Sequence, residues 1–176
     1  DDDRPQQRRL QTLGRLLTLL QATKVMALGR GWTARLILIA LGAFAALGFA
    51  PFHIWPATGL ALAGFYMRVR QVSTWDQPGR AAFGTGLLFG LGWFSASCFW
   101  IASAFIERGE SFLLLIPPLV GGLAVVLSLF WGFAAAASAR IMQGRPPWVA
   151  PMIFTGMFML AELARAQVAR GGVGGA

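Results

Sequence analysis

The sequence predicts an all-α fold: a polytopic helical membrane protein with about five transmembrane helices and a basic amphipathic arm at the N-terminus. Hydrophobic residues make up 56% of the 176 residues and charged residues only 12%, whereas roughly 25% of residues are charged in soluble domains. Residues 81–105 contain no acidic side chain, no basic side chain and no histidine. Because lipid offers no partners to backbone polar groups, a segment of this kind must be helical.

Residues 1–33 predict a cytoplasmic basic amphipathic arm. Leucines at helical spacing alternate there with cations such as Arg8 and Arg15, a pattern typical of a helix on an anionic membrane surface. A frayed basic segment before the first span is the alternative. A cleavable signal peptide is not expected, because further apolar segments follow instead of a cleavage site and a soluble domain.

Residues 36–49 and 57–67 predict two short spans joined by a turn. Pro51 and Pro56 disfavour helix on their N-terminal sides, and Trp55 suits the membrane interface. Both segments are short for a full crossing, so we expect a tight hairpin whose tip lies within the membrane boundary. His53 is interpreted as an interfacial side chain, since no second histidine or acidic cluster accompanies it.

Residues 68–80 predict an aqueous loop, and residues 81–105 predict the central span of the bundle. Gly86 and Gly90 form a small-xxx-small pattern, which lets a second helix approach closely. Cys98 is interpreted as a packing residue, because a low dielectric disfavours its thiolate. Four tryptophans are assigned to packing and to the interfacial belt: Trp93, Trp100, Trp131 and Trp148.

Residues 112–139 and 148–163 predict the last two spans, with Pro117 and Pro118 delaying or kinking the first of them. Glu107 and Glu110 precede these spans in a predicted solvated loop. Glu162 stands at the predicted end of the fifth span, and Arg165 follows at the i, i+3 spacing that allows an ion pair. The transmembrane domain is thus predicted over residues 34–165, with a Gly-rich tail over 166–176.

The basic residues predict the orientation in the membrane. Twelve of the fifteen lie in the N-terminal arm, at Arg35 directly before the first span, and in the two loops on the same side, so the positive-inside rule places the N-terminus in the cytoplasm. This placement beside apolar segments argues against a nucleic-acid partner despite the net charge of +8. A single cysteine excludes an internal disulfide, and no spacing typical of a metal site is present, so no cofactor and no metal is expected.

Three segments, in order, resemble bacterial apolipoprotein N-acyltransferases. Residues 47–56, LGFAPFHIWP, resemble the family's FAPFxxWP turn. Residues 86–105, GLLFGLGWFSASCFWIASAF, are similar to its GFxFGxGxFxxGxxWxxxS segment, and residues 160–165, LAELAR, are similar to its LAEWLRG. The resemblance implies a multi-pass protein of the bacterial inner membrane that meets membrane phospholipid and a lipoprotein substrate.

The resemblance also implies a defined chemistry. Family members carry eight transmembrane helices and a periplasmic nitrilase-like domain with a Glu-Lys-Cys triad. The triad takes an acyl chain from a phospholipid as a cysteine thioester and passes it to the α-amino group of a lipoprotein's diacylglyceryl-cysteine. The carboxylate serves as base, the lysine stabilises the oxyanion and the thiolate is the nucleophile. By the same resemblance, Glu162 and Arg165 are expected to support the mouth of the lipid and substrate cleft.

The triad has no counterpart in the matching residues, since Cys98 lies in a predicted span and Lys24 on the predicted cytoplasmic side. After Arg165 the sequence also departs from the family's TGFPW pattern. We therefore expect the chain to be inactive alone, as a truncated or frameshifted product or a fragmentary gene model. The alternative is a non-catalytic polytopic membrane protein, such as a transport or assembly subunit. Neither a mid-span charge nor a paired repeat, the features expected of a transporter, is evident.

Overall fold

A computed structural model gives the structure of residues 31–48, 53–98 and 116–171. The regular secondary structure within these ranges is entirely helical, which confirms the all-α prediction. Several predictions fall outside the described residues: the arm over residues 1–30, Lys24, Pro51, Trp100, Glu107, Glu110 and the last five residues of the tail.

The described residues form five α-helices and one short 3-10 turn, Ala46–Gly48. The α-helices are α1 (Trp32–Ala45), α2 (Trp55–Val72), α3 (Pro78–Ser97), α4 (Ile116–Ile141) and α5 (Ala150–Gly171). The end of α1 is held against the start of α2 by two hydrogen bonds. The Ile54 N–H donates to the Leu47 carbonyl at 3.0 Å, and Thr58 Oγ1 donates to the Ala45 carbonyl at 2.7 Å.

The predicted aqueous loop over residues 68–80 is wrong at both ends. Residues 68–72 continue α2, and Pro78 opens α3, so only residues 73–77 connect the helices. No glycine or proline interrupts residues 68–72, and the Ser73 hydroxyl then donates to the Arg70 carbonyl at 2.7 Å, where α2 ends. Pro78 suits a first helical turn because its missing N–H would have no partner there.

Two other predicted helix ends also differ from the structure. The central helix stops at Ser97, because Cys98 leaves helical geometry with φ −88° and ψ 5°. The last helix does not stop near Leu163 but continues to Gly171. Residues 164–170, ARAQVAR, are mostly good helix formers, and the first glycine after them is Gly171. The predicted boundary of a tail at residue 166 therefore falls inside α5.

Helix α3 lies between α1 and α4, and its pairing with α4 is the most extensive in the bundle. The approach is close because glycines face both neighbours. A Cβ on Gly86 would overlap the Trp131 carbonyl oxygen of α4, and a Cβ on Gly90 would lie 3.1 Å from Ser128 Cα. On the other side, a Cβ on Gly92 would overlap the Ile39 carbonyl oxygen of α1. The backbones therefore meet where no side chain intervenes.

Among the described residues, one helix is long and apolar enough to cross a membrane, Pro118–Ile141. The sequences of the other predicted spans explain why they are not long and apolar enough. Helix α2 ends with Arg68 and Arg70, α3 is rich in glycine, and α5 carries Glu162 together with two arginines. Composition and length therefore single out α4, and the count of five spans remains a prediction.

Candidate functional site

The candidate site is built around the carboxylate of Glu162, which stands in the second half of α5. Arg165, one helical turn later, donates from Nε to Glu162 Oε2 at 2.9 Å. Its Nη2 forms an ion pair with the same oxygen. The i, i+3 spacing places both side chains on one face of the helix, so this pair is local to α5.

The other carboxylate oxygen of Glu162 is bonded from a different helix. Trp131 of α4 donates from Nε1 to Glu162 Oε1 at 2.8 Å. The Trp131 residue is only 6% exposed, so its N–H needs a partner within the bundle. Sequence reasoning assigned Trp131 to packing and missed this bond, because the partners are 31 residues apart and no local pattern connects them.

The Trp131 ring belongs to an aromatic cluster that joins α2, α3, α4 and α5. Phe65 and Phe89 stack with centroids 4.2 Å apart and planes 9° from parallel. Phe89 and Trp131 stack at 5.5 Å and 10°. The remaining members pack around this stack: Trp93, Phe94, Phe154 and Phe158. Aromatic contacts of this geometry resist rotation of the rings, so the direction of the Trp131 N–H is fixed.

The site lies well inside the helices that build it. At a rise of about 1.5 Å per residue, Glu162 is about 18 Å from the start of α5 and about 14 Å from its end. Trp131 is about 15 Å from the end of α4. The helix itself does not end near Glu162, because α5 continues to Gly171, and the position of Glu162 at the end of the fifth span stays a prediction. Glu162 and Arg165 therefore lie near the middle of the bundle.

This arrangement suits binding and positioning rather than proton transfer. Both oxygens of Glu162 accept hydrogen bonds, so the carboxylate is held in a fixed direction. Arg165 uses two of its N–H groups on Glu162 and keeps others, and the two side chains remain 36% and 39% exposed. An exposed guanidinium with spare donors can bind an anionic group. Within the described residues, no group of three or more potential metal ligands is found.

The other predicted residues lie in distinct places. Gly86 and Gly90 form the α3–α4 contact, and Gly86 meets the backbone of Trp131 itself. Trp55 and Pro56 are exposed in the first turn of α2, away from the aromatic cluster. Cys98 is buried directly after α3.

Two other predicted interfacial or packing residues lie outside the helices, His53 and Trp148. His53 has a φ of 54°, a left-handed conformation that is uncommon for residues other than glycine. Trp148, 69% exposed, stands between α4 and α5.

Residues 41–174 match the family described as apolipoprotein N-acyltransferase N-terminal domain. An apolipoprotein N-acyltransferase of Allorhizobium ampelinum is 30% identical over 155 residues, which cover 85% of this chain and 29% of that protein. One of Pseudomonas aeruginosa is 29% identical over 136 residues, 77% of this chain and 26% of the relative. One of Caulobacter vibrioides is 30% identical over 142 residues, which cover 81% of this chain and 26% of that protein. The chain thus spans less than a third of these relatives, and no solved structure matches it.

Proposed function

This chain belongs to the apolipoprotein N-acyltransferase family, and we propose that it is the membrane-embedded part of such an enzyme in the bacterial inner membrane. The observation that carries the proposal is the family match over residues 41–174, which contain the end of α1 and all of α2 to α5. The reaction that follows is transfer of an acyl chain from a phospholipid to the N-terminal diacylglyceryl-cysteine of a lipoprotein. Phospholipid and lipoprotein are the proposed partners.

The outward faces of the bundle support a location in lipid. Large apolar side chains point away from the core along two helices, including Val126 and Phe133 on α4 and Met152, Met159 and Leu163 on α5, which are 53–68% exposed. An exposed apolar surface of this extent is unfavourable in water and favourable in a bilayer. We propose a multi-pass arrangement with the N-terminus in the cytoplasm.

The depth of Glu162 and Arg165 supports a role in a lateral cleft. An ionisable pair in the middle of membrane helices is costly unless it faces other protein or a wet cavity. We propose that both residues line a cleft through which the acyl donor and the lipoprotein approach, and that Arg165 meets an anionic group of one of them. Trp131 is a positioning residue, because it holds the carboxylate that orients Arg165. Gly86 and Gly90 let α3 pack closely against the part of α4 that carries Trp131.

We further propose that the 176 residues do not catalyse the reaction by themselves. A family triad needs a lysine and an activated thiol, but Cys98 is buried directly after α3 and Lys24, the single lysine, lies in the predicted cytoplasmic arm. A buried thiol is a poor nucleophile unless its surroundings stabilise the thiolate. The role proposed for this chain is to hold the lipid substrates, while acyl transfer uses a catalytic domain of the kind that the resemblance implies.

A chimeric enzyme tests the proposal. Residues 41–174 replace the matching segment of the Pseudomonas aeruginosa relative, and the chimera is expressed in cells depleted of their own N-acyltransferase. Mass spectrometry of a lipoprotein N-terminus then measures acylation. We expect acylation by the chimera and none by the 176-residue chain.

Two outcomes would count against parts of the proposal, and the unmodified relative serves as positive control. A chimera that enters the membrane without acylating would contradict the proposed role of these helices. Acylation by the 176-residue chain would overturn only the claim that it is inactive alone. The same chimera with Glu162→Ala should acylate more slowly, since Arg165 then loses the acceptor that orients it.

A further inference from the structure

Five arginines gather at the end of the bundle where α2 meets α3 and α4 meets α5. They form what we term the arginine face: Arg68, Arg70, Arg80, Arg140 and Arg145. Arg68 and Arg70 belong to the last turns of α2, Arg80 to the first turn of α3, and Arg140 to the last turn of α4. Arg145 stands in the connection to α5. Residues from both inter-helix connections therefore contribute to one surface.

Direct contacts show that the two connections lie together. Gln143 donates from Nε2 to the Ser73 carbonyl at 3.2 Å, which joins the α4–α5 connection to the α2–α3 connection. The Arg140 guanidinium lies over Gly79, so close that a Cβ on Gly79 would be 2.5–2.7 Å from its Nε, Cζ and Nη2. The absence of a side chain at Gly79 thus makes room for a cation beside α3.

Arg68 is the member of the face that serves packing. Its Nη1 donates to Gln71 Oε1 at 2.7 Å, and its Cζ is 5.3 Å from the ring centroid of Trp75, a cation–π distance. Burial lowers the pKa of the Arg68 guanidinium. The other four arginines are exposed and supply the charge that a partner would meet.

The charge of this face is unbalanced within the described residues. Asp76 is the single carboxylate near the two connections, and none of Arg70, Arg80, Arg140 and Arg145 forms an ion pair with a described acidic residue. Neighbouring like charges repel one another, and a partner with several negative charges relieves that repulsion.

Exposed apolar side chains, which we term the apolar border, stand close in sequence to arginines of the face. Met67 is 52% exposed, Ile141 is 45% exposed and Trp148 is 69% exposed. Exposed arginines beside an exposed indole and aliphatic side chains are the composition of a membrane–water interface, where tryptophan sits at headgroup level and arginine reaches the phosphates. A soluble acidic partner would not explain the apolar border.

We propose that the arginine face binds the headgroups of anionic phospholipids in the leaflet that it meets. The proposal rests on the membrane location proposed above and adds a lipid preference to it. The four exposed arginines provide the attraction, and the apolar border sets the depth at which they meet the phosphates.

Fluorescence quenching by brominated lipids tests this proposal on the full chain. The protein is placed in phosphatidylcholine nanodiscs that contain equal fractions of either brominated phosphatidylglycerol or brominated phosphatidylcholine. Trp148 stands at the border of the face and reports lipids close to it. We expect stronger quenching by the anionic lipid and a decrease in this preference at high salt, which screens exposed charges. Trp148→Phe should remove much of the difference and so localise it.

Charge variants supply the matched comparison. Arg70, Arg80 and Arg145 are exposed and have no described ion pair, so replacing all three by glutamine should leave the fold intact. We expect the triple variant to reduce the preference for anionic lipid by about tenfold or more. Arg145→Gln removes one exposed arginine from the connection before α5 and Arg170→Gln removes one from the last turn of α5, and only Arg145→Gln should lower the preference.

Different contrary results would overturn the headgroup proposal alone or the membrane location as well. Equal quenching by the two brominated lipids would overturn the arginine-face proposal alone and would leave the face to an acidic protein partner. An undiminished preference in the triple variant, or an equal loss in Arg170→Gln, would overturn it as well. Absence of quenching by either lipid would contradict the membrane location itself, and the headgroup proposal with it.

Discussion

The charges around Glu162 and the charges of the arginine face are held in opposite ways. Glu162 accepts bonds from Trp131 and Arg165, and the indole is fixed among stacked rings. The exposed arginines of the other region form no ion pair with a described carboxylate. One region is therefore organised by partners within the bundle, whereas the other depends on its surroundings for a counter-charge. We expect mutations in the first region to change stability and those in the second to change lipid binding.

The largest expected effect comes from the centre of the first region. Trp131→Ala removes a buried ring from the aromatic cluster and one donor from Glu162, so we expect it to lower the free energy of unfolding by about 3–5 kcal/mol. Denaturant titration of the protein in detergent micelles, followed by circular dichroism, measures the loss. Trp148→Ala is the control, because Trp148 is 69% exposed and should cost no more than about 0.5 kcal/mol. Equal losses would show that the cluster does not organise the bundle.

Identical glycine substitutions compare the rigidity of the two regions. A Cβ on Gly86 would overlap the carbonyl oxygen of Trp131, which cannot move without shifting α4. Gly86→Ala should therefore cost about 1–3 kcal/mol. A Cβ on Gly79 would meet only the end of the Arg140 side chain, which can rotate away, so Gly79→Ala should cost less than about 0.5 kcal/mol.

A third glycine completes that test. Gly84 has no atom within 4 Å of an added Cβ, and alanine is the better helix former. Gly84→Ala should therefore be neutral or stabilise by up to about 1 kcal/mol. The same denaturant titration applies to all three variants. A loss at Gly79 as large as that at Gly86 would remove the distinction between a rigid and an adaptable region.

The sequence was sufficient for the elements and for local pairs. Apolar segments separated by charged residues predicted the helices, and the spacing of Glu162 and Arg165 predicted that they could pair. The small-xxx-small pattern pointed to Gly86 and Gly90, which the structure places against α4. Each of these features depends on the spacing of a few residues within one helix, so the sequence pattern alone indicates it.

The contacts between distant residues could not be read in this way. The bond from Trp131 to Glu162 depends on how α4 and α5 align, and the meeting of Gln143 with Ser73 depends on two connections that are 70 residues apart. Helix ends were also missed, because Ser97 precedes neither glycine nor proline and the segment after Leu163 favours helix. The place of Glu162 within its helix was missed for the same reason, since α5 extends nine residues beyond it.

A smaller effect should separate the two partners of the ion pair. Glu162→Ala leaves the buried Trp131 N–H without an acceptor and Arg165 without its carboxylate, so we expect a loss of about 1–3 kcal/mol. Arg165→Ala leaves Trp131 bonded to Glu162, and over a third of the Arg165 side chain is exposed. Solvent screening should keep its cost below about 1 kcal/mol. A larger loss for Arg165→Ala would mean that the pair, and not the indole bond, stabilises the α4–α5 contact.

The smallest effect on stability is expected at the arginine face. In a neutral detergent, replacing Arg70, Arg80 and Arg145 by glutamine should change the free energy of unfolding by no more than about 0.5 kcal/mol. Any change should be a gain, because like charges then no longer repel. Added phosphatidylglycerol should raise the unfolding midpoint of the unchanged protein more than that of the triple variant, since only the former keeps all its cations. A triple variant that unfolds readily in neutral detergent would instead show that these arginines are paired within the protein, and the contrast between the two regions would fail.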